Sequence, residues 1–183
     1  MSEEIIVRNC SPTLAGIKTG NIFSCQVKSK SDLCQSLRNW NRMLVKRGLR
    51  IIPLRFKDNR ALVYMYRPKQ LSRDLANTEA KELLGKYGYD TEISFRCLSH
   101  LVKRIAESEE FPHEIGLFLG YPPEDVCGFI NNNAECKCVG AWKVYGDEVK
   151  ARRLFEKYKK CTSSYCQQLA NGRPIERLAL ARA

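Results

Sequence analysis

Apolar residues recur along the chain at two spacings. Between residues 50 and 67 they alternate: Ile52, Leu54 and Phe56 in RIIPLRF, then Leu62, Tyr64 and Tyr66 in ALVYMYR, around a KDNR turn. Alternation on both sides of a four-residue loop predicts a β-hairpin. Pro53 lacks an N–H, so the first of these strands is expected to have an unpaired edge. Two shorter runs, EIIVRN (4–9) and NIFSCQV (21–27), also predict strands, and CKCVGAWKVY predicts a fifth near 137–145.

Elsewhere the apolar spacing is helical. Leu33, Leu37, Trp40 and Leu44 share one face of a helix from Ser31 to Arg47, which Gly48 stops. Leu75, Ala80, Leu83 and Leu84 mark a helix over 69–88. Ile93, Cys97, Leu98, Leu101 and Ile105 mark another over 91–107, with His100 at the border of the stripe. Val149, Ala151, Leu154, Phe155, Tyr158, Cys161, Tyr165 and Leu169 form an unbroken stripe over 147–170, ended by Gly172. In FPHEIGLFLGYPPEDVCGFINNN (111–133), Pro112 suits a helix start, Gly120 a stop and Pro122-Pro123 a second start. Two short helices joined at Gly120-Tyr121 follow. The expected fold is a single α/β domain of the α+β type over 1–183. It has about five strands in one largely antiparallel or mixed sheet, packed by helices, with a helical middle segment about 69–133.

Composition bounds this picture. A chain of 183 residues, 44% hydrophobic, suits one well-buried core. No run approaches the roughly 20 apolar residues of a membrane span. The start, MSEEIIVRNC, has no signal-peptide n-region or cleavage site, so the expectation is a soluble, cytoplasmic protein without a membrane partner.

The net charge is +11 and unevenly placed. Lys18 to Arg55 holds nine Lys or Arg and one acid; Asp90 to Glu135 holds nine acids and three bases; Lys143 to Arg182 holds ten bases and four acids. Basic helices of this kind suit an acidic protein or RNA, and serve equally as solubility features. Tyr64 and Tyr66 beside Arg55, Arg60 and Arg67 have the ingredients of a nucleic-acid face. Tyrosines at period two are also ordinary strand packing.

Nine cysteines in a cytosolic chain read as core residues, free thiols, metal ligands or catalytic groups rather than a disulfide frame. Cys10 follows the expected strand at 4–9 and precedes a helix start at Ser11-Pro12. A helix N-terminus favours thiolate, and Lys18 adds to that field or to the binding of an anionic substrate group. His113 sits in the first turn of its helix, where the dipole favours the neutral base. Cys10 and His113 are thus the candidate catalytic pair, against the alternative of two unconnected structural residues. Tyr121 and Trp142 are candidate binding residues beside Lys18.

Cys136 and Cys138 are the candidate metal ligands, for zinc or iron–sulfur. A lone CxC is a thin signal, because adjacent strand ligands face opposite ways. The sequence requires no cofactor: GxGxxG, Walker, GxSxG and HExxH motifs are all missing. The 111–133 stretch has a helix-turn-helix layout, but its second helix offers Glu124 and Asp125 and no base. That argues against sequence-specific DNA reading.

NCSPTLAGIKTGNIFS, FPHEIGLFLGYPPEDVCGFI and CKCVGAWKVYGD resemble a bacterial family described as a domain of unknown function, number 3793, over nearly the whole chain. The resemblance implies a stand-alone protein of this length, mainly from anaerobic Gram-positive bacteria. It brings no established activity, cofactor or fold, and no catalytic residue to carry over. An association with flavodoxin-type and iron-responsive neighbours points toward redox or iron metabolism. The three motifs hold Cys10, Lys18, His113, Tyr121, Cys138 and Trp142, which fits a shared site and equally a shared core. Three functions follow as expectations: a thiol-dependent Cys/His or redox-linked enzyme, a non-catalytic binding module for an acidic partner or RNA, and a metal-binding accessory protein.

Overall fold

The computed structural model describes residues 1–108, 110–132 and 135–181. They form two compact units, one from 1–69 with 158–183 and one from 70–157.

The first unit opens with helix α1 (Glu3–Leu14), where the β-branched run EIIV had predicted a strand. Two local features override that propensity. Ser2 caps the helix by accepting from the Ile5 N–H, and Glu3 and Glu4 oppose the positive helix end. Ile6, Val7, Cys10 and Leu14 then fall on one buried face at helical spacing. Pro12 lies inside the helix, and the Ser11 hydroxyl donates to the Val7 carbonyl one turn back. Cys10 is therefore mid-helix, away from any helix N-terminus.

Strand β1 (Gly20–Gln26), helix α2 (Lys30–Leu44) with a 3-10 turn over Val45–Arg47, and strands β2 (Arg50–Lys57) and β3 (Arg60–Tyr66) follow. The strands form an antiparallel sheet in the order β1-β3-β2, with Phe23 opposite Val63 and Ile51 opposite Met65. The loop of the β2–β3 hairpin is shorter than predicted. Lys57 pairs with Arg60, and Asp58 and Asn59 at φ 51 and 57 make the two-residue turn. Positive φ at both positions matches the right-handed twist of the strands, and Asp and Asn tolerate it. The register shifts between Pro53 and Arg55. Tyr64 and Tyr66 are buried and stacked 4.8 Å apart, so they serve as packing. A Cβ on Gly20 would lie 2.5 Å from the Tyr64 ring.

The chain continues through α3 (Pro68–Leu75), α4 (Thr78–Lys86), α5 (Ser94–Glu107), α6 (Ile115–Phe118) and α7 (Pro123–Asn131). The helix expected over 69–88 is broken because the Asn77 side chain caps a new start, accepting from the Ala80 N–H. The strand expected at 137–145 is two strands of two residues, β4 (Cys138–Val139) and β5 (Lys143–Val144), paired with each other. One five-stranded sheet is thus corrected to a three-stranded and a two-stranded sheet in an α+β fold. Helices α8 (Glu148–Ala170) and α9 (Ile175–Leu178) complete the chain, and α9 belongs to the first unit.

Two side chains lock the first unit. Ile175 and Leu178 of α9 join Ile6, Leu14, Leu33, Val63 and Met65 in its core. Over that core Arg67, 4% exposed, donates to the carbonyls of Thr13 (2.7 Å), Leu14 (2.7 Å) and Leu180 (2.8 Å). The Asn41 amide of α2 meets both the N–H and the C=O of Ile51, at 3.0 and 2.8 Å, and pins α2 to edge strand β2. Arg67→Lys keeps the charge and loses the planar fork that spans these acceptors. Leaving buried carbonyls unpaired should cost about 2–4 kcal/mol in urea unfolding. A loss below about 1 kcal/mol would mean that the guanidinium does not hold these segments.

Candidate functional site

The site lies within the second unit and begins with a helix start. Pro122 and Pro123 open α7, and Glu124 and Asp125 occupy its first turn. Glu124 faces solvent, whereas Asp125 is 3% exposed. Its Oδ2 accepts from Trp142 Nε1 at 2.6 Å, and its Oδ1 accepts from the Tyr145 and Gly146 N–H groups, both at 2.7 Å. One carboxylate thus fastens the β4–β5 hairpin to α7. Three donors stand in for the water it has lost, which is what a buried charge requires.

Glycines bring the same parts together. Gly120, at φ 76, ends the α6 turn as its position in the sequence predicts. A Cβ on Gly116 would meet Val126 at 2.8 Å and Tyr121 at 3.1 Å. A Cβ on Gly140 would lie 2.2 Å from the Phe155 ring, which fills that space instead. Trp142 consequently stands edge-on to Phe155 (4.6 Å) and stacks on Tyr121 (4.7 Å). Burial pushes the Tyr121 phenol up to about 12, and its hydroxyl donates to the Ala141 carbonyl at 3.1 Å.

These elements enclose a cavity of about 250 Å³ lined by Phe111, His113, Ile115, Gly116, Tyr121, Asp125, Val126, Phe129, Ala141, Trp142 and Lys143. His113 meets Phe129 edge-on at 4.9 Å, and Lys143 Nζ lies 5.3 Å from the centre of the Phe129 ring. Behind His113, Glu114 is 1% exposed; it accepts from Tyr89 Oη at 2.8 Å and lies 2.9 Å from Arg104 Nε. That ion pair is out of line for a hydrogen bond, since the buried Nε has none. The pair anchors the segment that carries Phe111 and His113.

Of the residues expected at a site, His113, Tyr121 and Trp142 share this cavity. Helix α6 begins two residues after His113 and is a single turn, so it supplies little dipole to the imidazole. Cys10 and Lys18 belong to the first unit. Both are buried there, and Lys18 Nζ donates to the Gly20 carbonyl at 2.8 Å. Burial pushes the Cys10 thiol well above its ordinary value, opposed only in part by Lys18. That setting disfavours thiolate. Cys136, just before β4, and Cys138, within it, are half-buried, and among the described residues no three His, Cys, Asp or Glu are placed to hold a metal. No described helix is long and apolar enough to cross a membrane.

Asp125, Lys143, Phe111 and Phe129 carry no sequence mark of a site. Asp125 reads as an exposed helix-start acid, and its true partners lie 17 to 21 residues onward. The nearest signal is the Trp142-Lys143 pair inside the third motif, an aromatic beside a cation on a predicted strand.

A model of the family described as Protein of unknown function (DUF3793) matches residues 6–179, and the chain belongs to that family. No curated protein and no solved structure matches it.

Asp125→Asn turns one acceptor into a donor facing N–H groups. It should cost about 2–3 kcal/mol and red-shift Trp142 emission in a Trp40→Phe background. Unchanged emission would show that the carboxylate does not set the indole.

Lys18 makes a pH prediction. Burial lowers its pKa from 10.5 to about 8, with Cys10 a smaller opposing influence. Between those values the unfolded chain binds more protons, so this group raises stability as pH rises. Cys10 acts oppositely above its unfolded value of 9.0, because the folded thiol stays protonated. Comparison with Lys18→Met isolates the lysine. From pH 8 to 10 the wild type should gain on the variant, on the order of 1 kcal/mol per pH unit at most. A pH-independent difference would contradict a buried ammonium.

Proposed function

We propose that the second unit is a receptor for a small, flat, largely apolar ligand bearing one anionic group, and that the protein works as a binding module. The observation that carries this reading is the cavity's make-up. Rings of Phe111, Tyr121, Phe129 and Trp142 line it, and the Lys143 ammonium and His113 imidazole stand at Phe129. Concave, mostly aromatic walls with a few polar groups are the usual form of a small-molecule site. A cavity of about 250 Å³ suits one or two fused rings.

The charge of Asp125 is already met by three N–H donors. Lys143 has no carboxylate within ion-pair distance among the described residues. An incoming carboxylate therefore finds a cation to pair with and an imidazole to donate to it. In this reading His113, Tyr121 and Trp142 are binding residues, and His113 orients the ligand rather than abstracting a proton. A thiol-dependent reaction at Cys10 draws no support from a thiol buried in the core of the first unit.

Calorimetry with naphthalene-2-carboxylate and the matching neutral carboxamide tests the reading. The acid should bind the wild type at least tenfold tighter than the amide, and Lys143→Met should erase that difference. Phe129→Ala should weaken both. If neither compound gives heat at millimolar concentration, or if Lys143→Met leaves the preference intact, the reading is wrong.

A further inference from the structure

The charge of the protein is concentrated in the first unit. Residues 1–69 and 158–183 hold 19 Lys or Arg against five Asp or Glu, whereas residues 70–157 hold 12 against 15. Five acids cannot neutralise 19 bases, so the excess faces outward. Its arrangement is most regular on α2.

Leu33, Leu37 and Leu44 bury one side of α2, and Asn41 is held to both polar groups of Ile51. These contacts fix the helix's rotation. Arg38, Arg42 and Lys46 are exposed and follow one another at four-residue steps along the opposite side, the last in the 3-10 turn, with exposed Arg47 and Arg50 beyond. Gln35 and Asn39, exposed and bonded to each other at 3.2 Å, lie beside them. The helix's sole acid, Asp32, is at the opposite end and accepts from the Ser29 hydroxyl at 2.9 Å.

Like charges four residues apart repel and destabilise a helix. A face kept only for solubility would intersperse acids, as α8 does with Glu148 beside Arg152. An uninterrupted row gains its return from a dense polyanion outside the protein. The helix rises about 6 Å over four residues, so the three charges form a row about 12 Å long that winds slowly around the outer side. Among the described residues, α2 presents no exposed aromatic ring for unpaired bases to stack on. Trp40 is half-buried with Nε1 donating to the Met1 carbonyl at 3.3 Å, and Tyr64 and Tyr66 are buried. On α2 a single strand finds cations without stacking rings.

We propose that the outer face of α2 binds double-helical nucleic acid through its phosphate backbone, without reading sequence. Arg38, Arg42 and Lys46 pair with phosphates, and Gln35 and Asn39 donate to phosphate or sugar oxygens.

Fluorescence anisotropy of the full chain with labelled 24-base-pair duplexes, over a salt series, tests this. Log affinity should fall linearly with log salt and be unchanged by scrambling the sequence. Arg38→Gln, Arg42→Gln and Lys46→Gln together should weaken binding at least tenfold and flatten the salt slope by about 2–3, the value for three lost phosphate contacts. Lys86→Gln, Lys103→Gln and Lys150→Gln remove the same formal charge from the second unit and should leave the slope unchanged. Equal loss in the two triple variants, tighter binding of a single strand, competition by polyglutamate as effective as by duplex, or no binding at low salt would each overturn the proposal.

Discussion

The Asp125 carboxylate is the joint on which the second unit's cavity depends. Strands of two residues, β4 and β5, do not stand alone in water. What holds their hairpin is an acid on another element that accepts from the Trp142 indole and two successive backbone N–H groups. The glycines make that joint tight. Gly128 lies against the Tyr145 ring, Gly146 against Glu124 and Gly140 against Phe155, each closer than a Cβ allows. Missing side chains at Gly128 and Gly146 let α7 and the hairpin approach until one carboxylate reaches all three donors, and Gly140 does the same between the hairpin and Phe155 of α8. The aromatic walls of the cavity follow from that approach, because Trp142 is fixed at both its polar and its apolar edges.

The first unit solves a similar problem with opposite charge. There the buried group is the Arg67 guanidinium, and its partners are backbone carbonyls near the ends of α1 and α9. A planar cation with five donors suits several scattered acceptors, as a carboxylate suits converging donors. Each unit thus has apolar side chains at its centre and, in Arg67 or Asp125, a buried ionic group that joins segments far apart in the chain. The division of charge between the units adds to this. The basic unit carries the exposed cations of α2, and the nearly balanced one holds the cavity with aromatic walls.

Regular periodicity was readable, and context-dependent partners were not. The β2–β3 alternation, the α2 and α8 stripes and the Gly120 stop all come from positions within a few residues of one another. EIIVRN misleads because β-branched residues carry a strand signal, while the cap at Ser2 and the buried face through Leu14 need a longer window. The reactive setting expected for Cys10 depended on that strand. As part of a helix, the residue becomes a core thiol. Tyr121 and Trp142 were legible as aromatic residues at turn and strand positions within specific motifs. Asp125 was not, since an acid in a first helical turn looks the same whether it faces water or a ring of donors.

The first unit is discontinuous along the chain, and this bears on how the protein is made. Arg67 must wait for Leu180, 113 residues later, and the core must wait for Ile175 and Leu178. At about 5–20 residues per second that interval is roughly 6–23 s on the ribosome. Residues 70–157 emerge uninterrupted in the meantime and can close their own contacts first. The segment that leaves the ribosome first is therefore the last to be completed. Until then the basic α2 and an incomplete apolar core are displayed on a nascent chain, next to the RNA of the ribosome.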